Sequence, residues 1–262
     1  MRRKVFARKA LIAYVMCGDP DLRTTKENIL ALEQAGADLI ELGIPFSDPV
    51  AEGEVIAAAS ERALKNHIVA DDVFAMVKQV REKTTIPLVV MTYANVVFAY
   101  GVEAFMKRCG ETGIEGVILP DVPYEEKAEF ETAARAHGVA WIPLVAPTSG
   151  ARIPSIVKDA EGFVYCVSSL GTTGMRSSFS NELEHVVRQV RAHTDCPCAI
   201  GFGISTPKQA EAMADMADSV IVGSAFVDLC ARHKEKAPQA VYELAKALKD
   251  ALRASETRRE TS

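Results

Sequence analysis

The chain has 262 residues, 48% hydrophobic and 25% charged, a balance that supports a sizeable core and excludes a disordered polymer. Its net charge of −5, with basic side chains scattered rather than clustered, argues against nucleic acid as a partner. No stretch reaches the roughly 20 apolar residues of a membrane span, and the basic-then-apolar opening runs into CGDPD without a small-residue cleavage site, so a cytoplasmic protein is expected.

Short apolar runs rich in Val and Ile recur along the chain. They are ALIAYVM (10–16), ADLIELGI (37–44), IPLVVMTY (86–93), GVILPDV (116–122), VAWIPLVA (139–146), GFVYCVSS (162–169), CAIGFGI (198–204) and DSVIVGSA (218–225). Continuous runs of this kind suit strands buried on both faces, as in a parallel sheet. Amphipathic segments with helical spacing separate them: TTKENILALEQAGA, VFAMVKQVREKT, KAEFETAARAHG, PKQAEAMADMA and QAVYELAKALKDALRA. Strand followed by helix, about eight times over this length, predicts an α/β fold, a single-domain (β/α)8 TIM barrel over residues 1–252. An open doubly wound sheet shares the same periodicity. Residues 253–262, SETRRETS at their end, are polar and without periodicity, so a disordered tail is expected there.

In a barrel, functional groups gather where strands end and the following loops begin. Strand 2 ends at Glu41, and the loop PFSDPVAEGE adds Glu52 and Glu54. A carboxyl group at a barrel mouth loses water, which raises its pKa toward the range useful for proton transfer. A second acid on a neighbouring loop allows proton transfers at two atoms of one substrate. The competing reading is a structural carboxylate hydrogen-bonded at a strand end. After the last two strands, GFGIST and IVGSAF place glycines where backbone amides can approach an anion, and a helix starting at Ser224 would aim its N-terminal dipole there. Each glycine turn alone is equally a tight strand-to-helix connection. Six cysteines stand in mostly apolar surroundings, and the Cys196-Pro197-Cys198 spacing fits neither a zinc knuckle nor a His-containing cluster, so no metal is expected.

The stretch LIELGIPFSDPVAEG resembles the signature of the tryptophan synthase alpha subunit family. YVMCGDPD, MTYANVVFAYG, ILPDVPYEE, LVAPTS, SSLGTTG, AIGFGIS and VIVGSAFV follow in that family's order, from the first strand to the last helix. The resemblance implies a lyase that cleaves indole-3-glycerol phosphate to indole and glyceraldehyde 3-phosphate without a cofactor of its own. Indole then passes to a beta subunit carrying pyridoxal phosphate, within an alpha2beta2 heterotetramer. By motif position, Glu41 takes the place of the general acid/base, and Glu52 that of the residue accepting the indole N–H. Tyr14, Met91, Tyr93, Tyr165 and Phe202 match the indole pocket, Thr173 the lid, and Gly174, Gly203, Gly223 and Ser224 the phosphate cradle. Asp48, Pro49 and Asp121 correspond to the surface that meets the beta subunit.

The chain departs from the pattern at Glu52, where the family's wording has Asp-Gly, at Glu54, where proline is common, and at Ser169, where many relatives have arginine. Its leading segment is also shorter than the family's. One extra methylene at position 52 displaces the carboxylate by roughly 1 Å unless the loop is rebuilt. Two alternatives therefore stand beside the enzyme of the family: an alpha-like barrel that mainly activates a beta subunit, and a stand-alone lyase.

Overall fold

The computed structural model describes residue 6 and residues 9–167, 176–201 and 203–260. Nine strands form one parallel sheet among the described residues: β1 (Ala10–Met16), β2 (Leu39–Gly43), β3 (Leu88–Met91), β4 (Gly116–Ile118), β5 (Ala140–Trp141), β6 (Leu144–Val145), β7 (Val164–Val167), β8 (Cys198–Gly201) and β9 (Ser219–Val222). Their spatial order is β5-β4-β3-β2-β1-β9-β8-β7-β6. The two ends of that order, β5 and β6, are separated in the chain only by Ile142 and Pro143. The Ile142 amide still donates to Val117 O at 3.0 Å, and Pro143 O accepts from the Tyr165 amide at 2.9 Å. One interrupted segment thus bridges both edges of the sheet, and the ladder closes into a (β/α)8 barrel. The strand expected over 139–146 is split because Pro143 has no N–H to give the ladder.

Period-two alternation divides the strand residues between two cores. Ile12, Leu39, Val89, Ile118, Phe163, Ala199 and Ile221 pack together inside the barrel. Leu11, Ala13, Ile40, Leu42, Leu88 and Val90 face outward, where the apolar stripes of the surrounding helices cover them. Helix Leu22–Ala35 is typical: Asp21 accepts from the Thr24 amide at its start, and Gly36, at φ 98°, ends it. Helices also follow at Glu54–Lys65, beyond the loop 44–53 after β2, and at Ala94–Tyr100 and Ser224–His233, just past the ends of β3 and β9.

At the opposite end, Phe6 packs beneath the inner core, its ring 6.2 Å from that of Phe163. Lys249, fully buried, donates to Asp38 at 2.5 Å and to Lys9 O at 3.0 Å, while Asp38 also accepts from the Leu11 amide. The last helix runs Ala237–Glu260, well into the segment expected to be a polar, disordered tail. Side-chain anchors account for the difference: buried Ser255 donates to Asp215, Glu256 accepts from the Lys9 amide, and Arg258 pairs with Glu211. No helix among the described residues is long and apolar enough to cross a membrane.

Candidate active site

The alternation that sends Leu39 inward also sends Glu41 and Gly43 inward, at the C-terminal half of β2. Glu41 is 1% exposed, and its Oε2 has no hydrogen-bond partner among the described residues. An orphaned buried carboxylate oxygen is costly, so the proton is held instead. Burial pushes the Glu41 carboxyl up to about 8, and the nearby negative charge of Glu52 adds to the rise.

Two buried tyrosines flank it. Tyr14, directly opposite Glu41 in the β1–β2 ladder, lays its ring over Gly43, where a Cβ would stand 2.6 Å from Tyr14 Cζ. Tyr165 on β7 lies over Gly201 of β8 in the same way, with its hydroxyl 2.5 Å from where a Cβ would be. Burial, then the two acids, raises both phenols well above their usual range, so both stay protonated. Met91 packs at the edge of the inner core and against the cluster around Tyr14. These four residues, expected to share one site, do converge at the barrel mouth.

Glu52 reaches the same mouth from the loop after β2. The Tyr93 hydroxyl donates to Glu52 Oε2 and accepts from the Ala51 amide at 3.0 Å. The Tyr93 ring is stacked on Phe46, with centroids 5.0 Å apart and planes at 28°. Phe46 is in turn clamped by Ser60, whose hydroxyl accepts from its amide at 2.8 Å and donates to its carbonyl at 2.7 Å. Arg62, on the same helix as Ser60, forks onto buried Asp19 at 2.8 and 2.7 Å and ties that helix to the loop after β1. Burial raises the Glu52 carboxyl, opposed by the Tyr93 hydrogen bond and assisted by the charge of Asp121. Glu54 opens helix Glu54–Lys65 and is exposed.

Across the mouth, Gly223 caps helix Ser224–His233 and stands at the end of β9, with room for a Cβ only 3.4 Å from Tyr14 Cβ. Gly203 adopts φ 66° just past β8, the strand beside β9. The exposed N-terminus at Ser224 and this glycine turn therefore adjoin the same opening as Glu41. Asp48 and Asp121 are exposed on the outer rim, with Pro49 half-buried and Val50 79% exposed between the loops. Asp121 also accepts from the Ala94 amide, at 3.1 Å to each oxygen, capping the helix that follows Tyr93. Thr173, Gly174 and Phe202 lie outside the described residues, as does Ser169.

Sequence reading missed Phe46, Ser60, Gly43 and Gly201. The two glycines carried a signal, since each sits at an inward position of a strand where a side chain would be expected. No group of three or more His, Cys, Asp or Glu side chains placed to hold a metal occurs among the described residues. Cys198 is buried on β8, with its thiol beside that of Cys166.

A profile of the tryptophan synthase alpha chain family matches residues 2–255. A tryptophan synthase alpha chain of Lacticaseibacillus casei is 47% identical over 244 residues, covering 93% of this chain and 92% of its own. One from Lactiplantibacillus plantarum is 51% identical over 227 residues, 86% of each. Among solved structures, tryptophan synthase subunit alpha of Legionella pneumophila superposes with a TM-score of 0.85 at 36% identity, covering 94% and 93%. A tryptophan synthase α2β2 complex from Pyrococcus furiosus gives 0.87 at 34% identity, covering 94% and 99%. The chain belongs to the tryptophan synthase alpha chain family, a family of lyases.

Proposed function

We propose that this chain cleaves indole-3-glycerol phosphate to indole and glyceraldehyde 3-phosphate, with Glu41 as its acid/base. Because burial keeps Glu41 protonated near neutral pH, it enters the reaction as an acid. Its proton goes to C3 of the indole. As the bond from C3 to the side chain breaks, that electron pair returns to the ring. The adjacent hydroxyl then loses its proton to the Glu41 carboxylate, and its O–H electrons become the aldehyde C=O. Glu41 ends as it began. Glu52 accepts the indole N–H and steadies positive charge on the ring while C3 is tetrahedral. Tyr14, Met91, Tyr93, Tyr165 and Phe202 wall the indole, and Gly174, Gly203, Gly223 and Ser224 hold the phosphate, with the helix dipole at Ser224 favouring the anion. Thr173 serves the lid. Asp48, Pro49 and Asp121 form part of the face that docks on a beta subunit with pyridoxal phosphate, which receives the indole in an alpha2beta2 assembly.

The observation that carries this reading is Glu41 itself: a buried carboxyl group whose Oε2 has no partner among the described residues, at the mouth it shares with Glu52 and two glycine turns. Glu41→Gln keeps the volume and removes the proton exchange. Indole release is expected to fall by about 10²–10⁴-fold, with glycerol 3-phosphate affinity unchanged. A variant turning over at near the parent rate removes Glu41 from the chemistry.

A further inference from the structure

Glu52 stands on a loop that is pinned at two points. Ser60 holds both backbone polar groups of Phe46, and the Tyr93 hydroxyl holds the Ala51 amide. The loop cannot slide outward without breaking one of these. The same Tyr93 hydroxyl also grips the Glu52 carboxylate at Oε2. Tyr93 is itself fixed: it is 2% exposed, its ring stacks on Phe46, and it starts a helix whose first amide is bound by Asp121. Its hydroxyl has one proton and spends it on Glu52.

We propose that Tyr93 is the positioning residue that matches this site to a glutamate at position 52, aiming the carboxylate at the substrate rather than serving only as a wall of the indole pocket. The inference rests on the function proposed above and specifies how its second acid is held. The charged and titratable groups facing Glu52 are Tyr93 and Asp121 beside it, and Glu41, Tyr14 and Tyr165 across the mouth. Of these, only the Tyr93 hydrogen bond pulls the Glu52 carboxyl down.

The test uses the full chain in four forms: parent, Tyr93→Phe, Glu52→Asp and the double variant. Tyr93→Phe keeps the ring and its stack, so thermal melting should match the parent. Removing a hydrogen bond to a charged group should lower kcat roughly tenfold to hundredfold, with KM little changed. In the Glu52→Asp background the same substitution should cost less than about twofold, because a shorter acid no longer meets the phenol. Glu52→Asp alone should be slower than the parent. Carbon-13 titration of labelled glutamates supplies a readout independent of turnover, and Tyr93→Phe should shift Glu52 upward. An unmoved Glu52 titration, or an equal fold-loss of kcat in both backgrounds, overturns the pairing. A parent protein that releases no indole overturns the proposed reaction instead, and the titration still decides the pairing.

Discussion

The cost of keeping Glu41 dry shows itself in the pH dependence of stability. Its carboxyl sits at about 8 in the folded chain against 4.5 in an unfolded one. Between those values the native state binds a proton that the unfolded state has released, so rising pH drains stability through this window and the loss is complete above about 8. Glu41→Gln has no proton to lose. Its melting temperature should match the parent near pH 4 and pull ahead as pH climbs, by roughly 2–4 °C for each kcal/mol relieved. A gap that stays constant from pH 4 to pH 9 would mean that Glu41 is ionised in the fold. At this scale the sequence was legible wherever alternation alone decides direction. Leu39, Glu41 and Gly43 share one face of β2, and that is enough to place the acid inside. The Tyr93–Glu52 bond was not legible, because it joins two loops whose approach depends on how Ser60 and Phe46 fold the chain between them.

Neighbouring strands fit one another by exchanging bulk for space. Tyr14 on β1 needs Gly43 on β2, and Tyr165 on β7 needs Gly201 on β8. Each glycine is a slot into which the adjacent strand's ring is laid, and the two rings flank Glu41. Gly43→Ala should destabilise the fold by about 1–3 kcal/mol in urea unfolding, since the methyl overpacks a closed interior. Adding Tyr14→Leu, which vacates the slot, should recover part of that loss; no recovery would show that Gly43 matters for another reason. The run over 139–146 read as one strand because all its residues are apolar. Only the missing N–H of Pro143 divides it, and a lone proline between hydrophobic residues marks a break without showing that both halves still pair outward. The end of the last helix is hidden from periodicity for a related reason. SETRRETS has no apolar stripe, yet Ser255 and Glu256 find polar partners on Asp215 and the Lys9 amide, which periodicity does not register.

Across the whole molecule, the two ends of the barrel do different work. The N-terminal end is sealed by Phe6 and by fully buried Lys249, paired with partly buried Asp38, whose removal would take a counter-charge from a buried ammonium. The C-terminal end leaves Glu41 Oε2 without a partner among the described residues, sets a second acid beside it on a pinned loop, and opens onto glycine turns at the ends of β8 and β9. In the proposed reaction, the paired charges stand at the end away from the substrate and Glu41 at the end that meets it. The pH profile of kcat/KM for indole release by the unmodified chain tests that division most directly. If Glu41 starts the reaction as a buried acid, the profile should fall on the alkaline side with an apparent pKa near 8, the value its burial sets. A profile that instead rises through about 4.5 and stays flat beyond pH 9 would show that an ionised, solvated carboxylate is at work, contradicting the account.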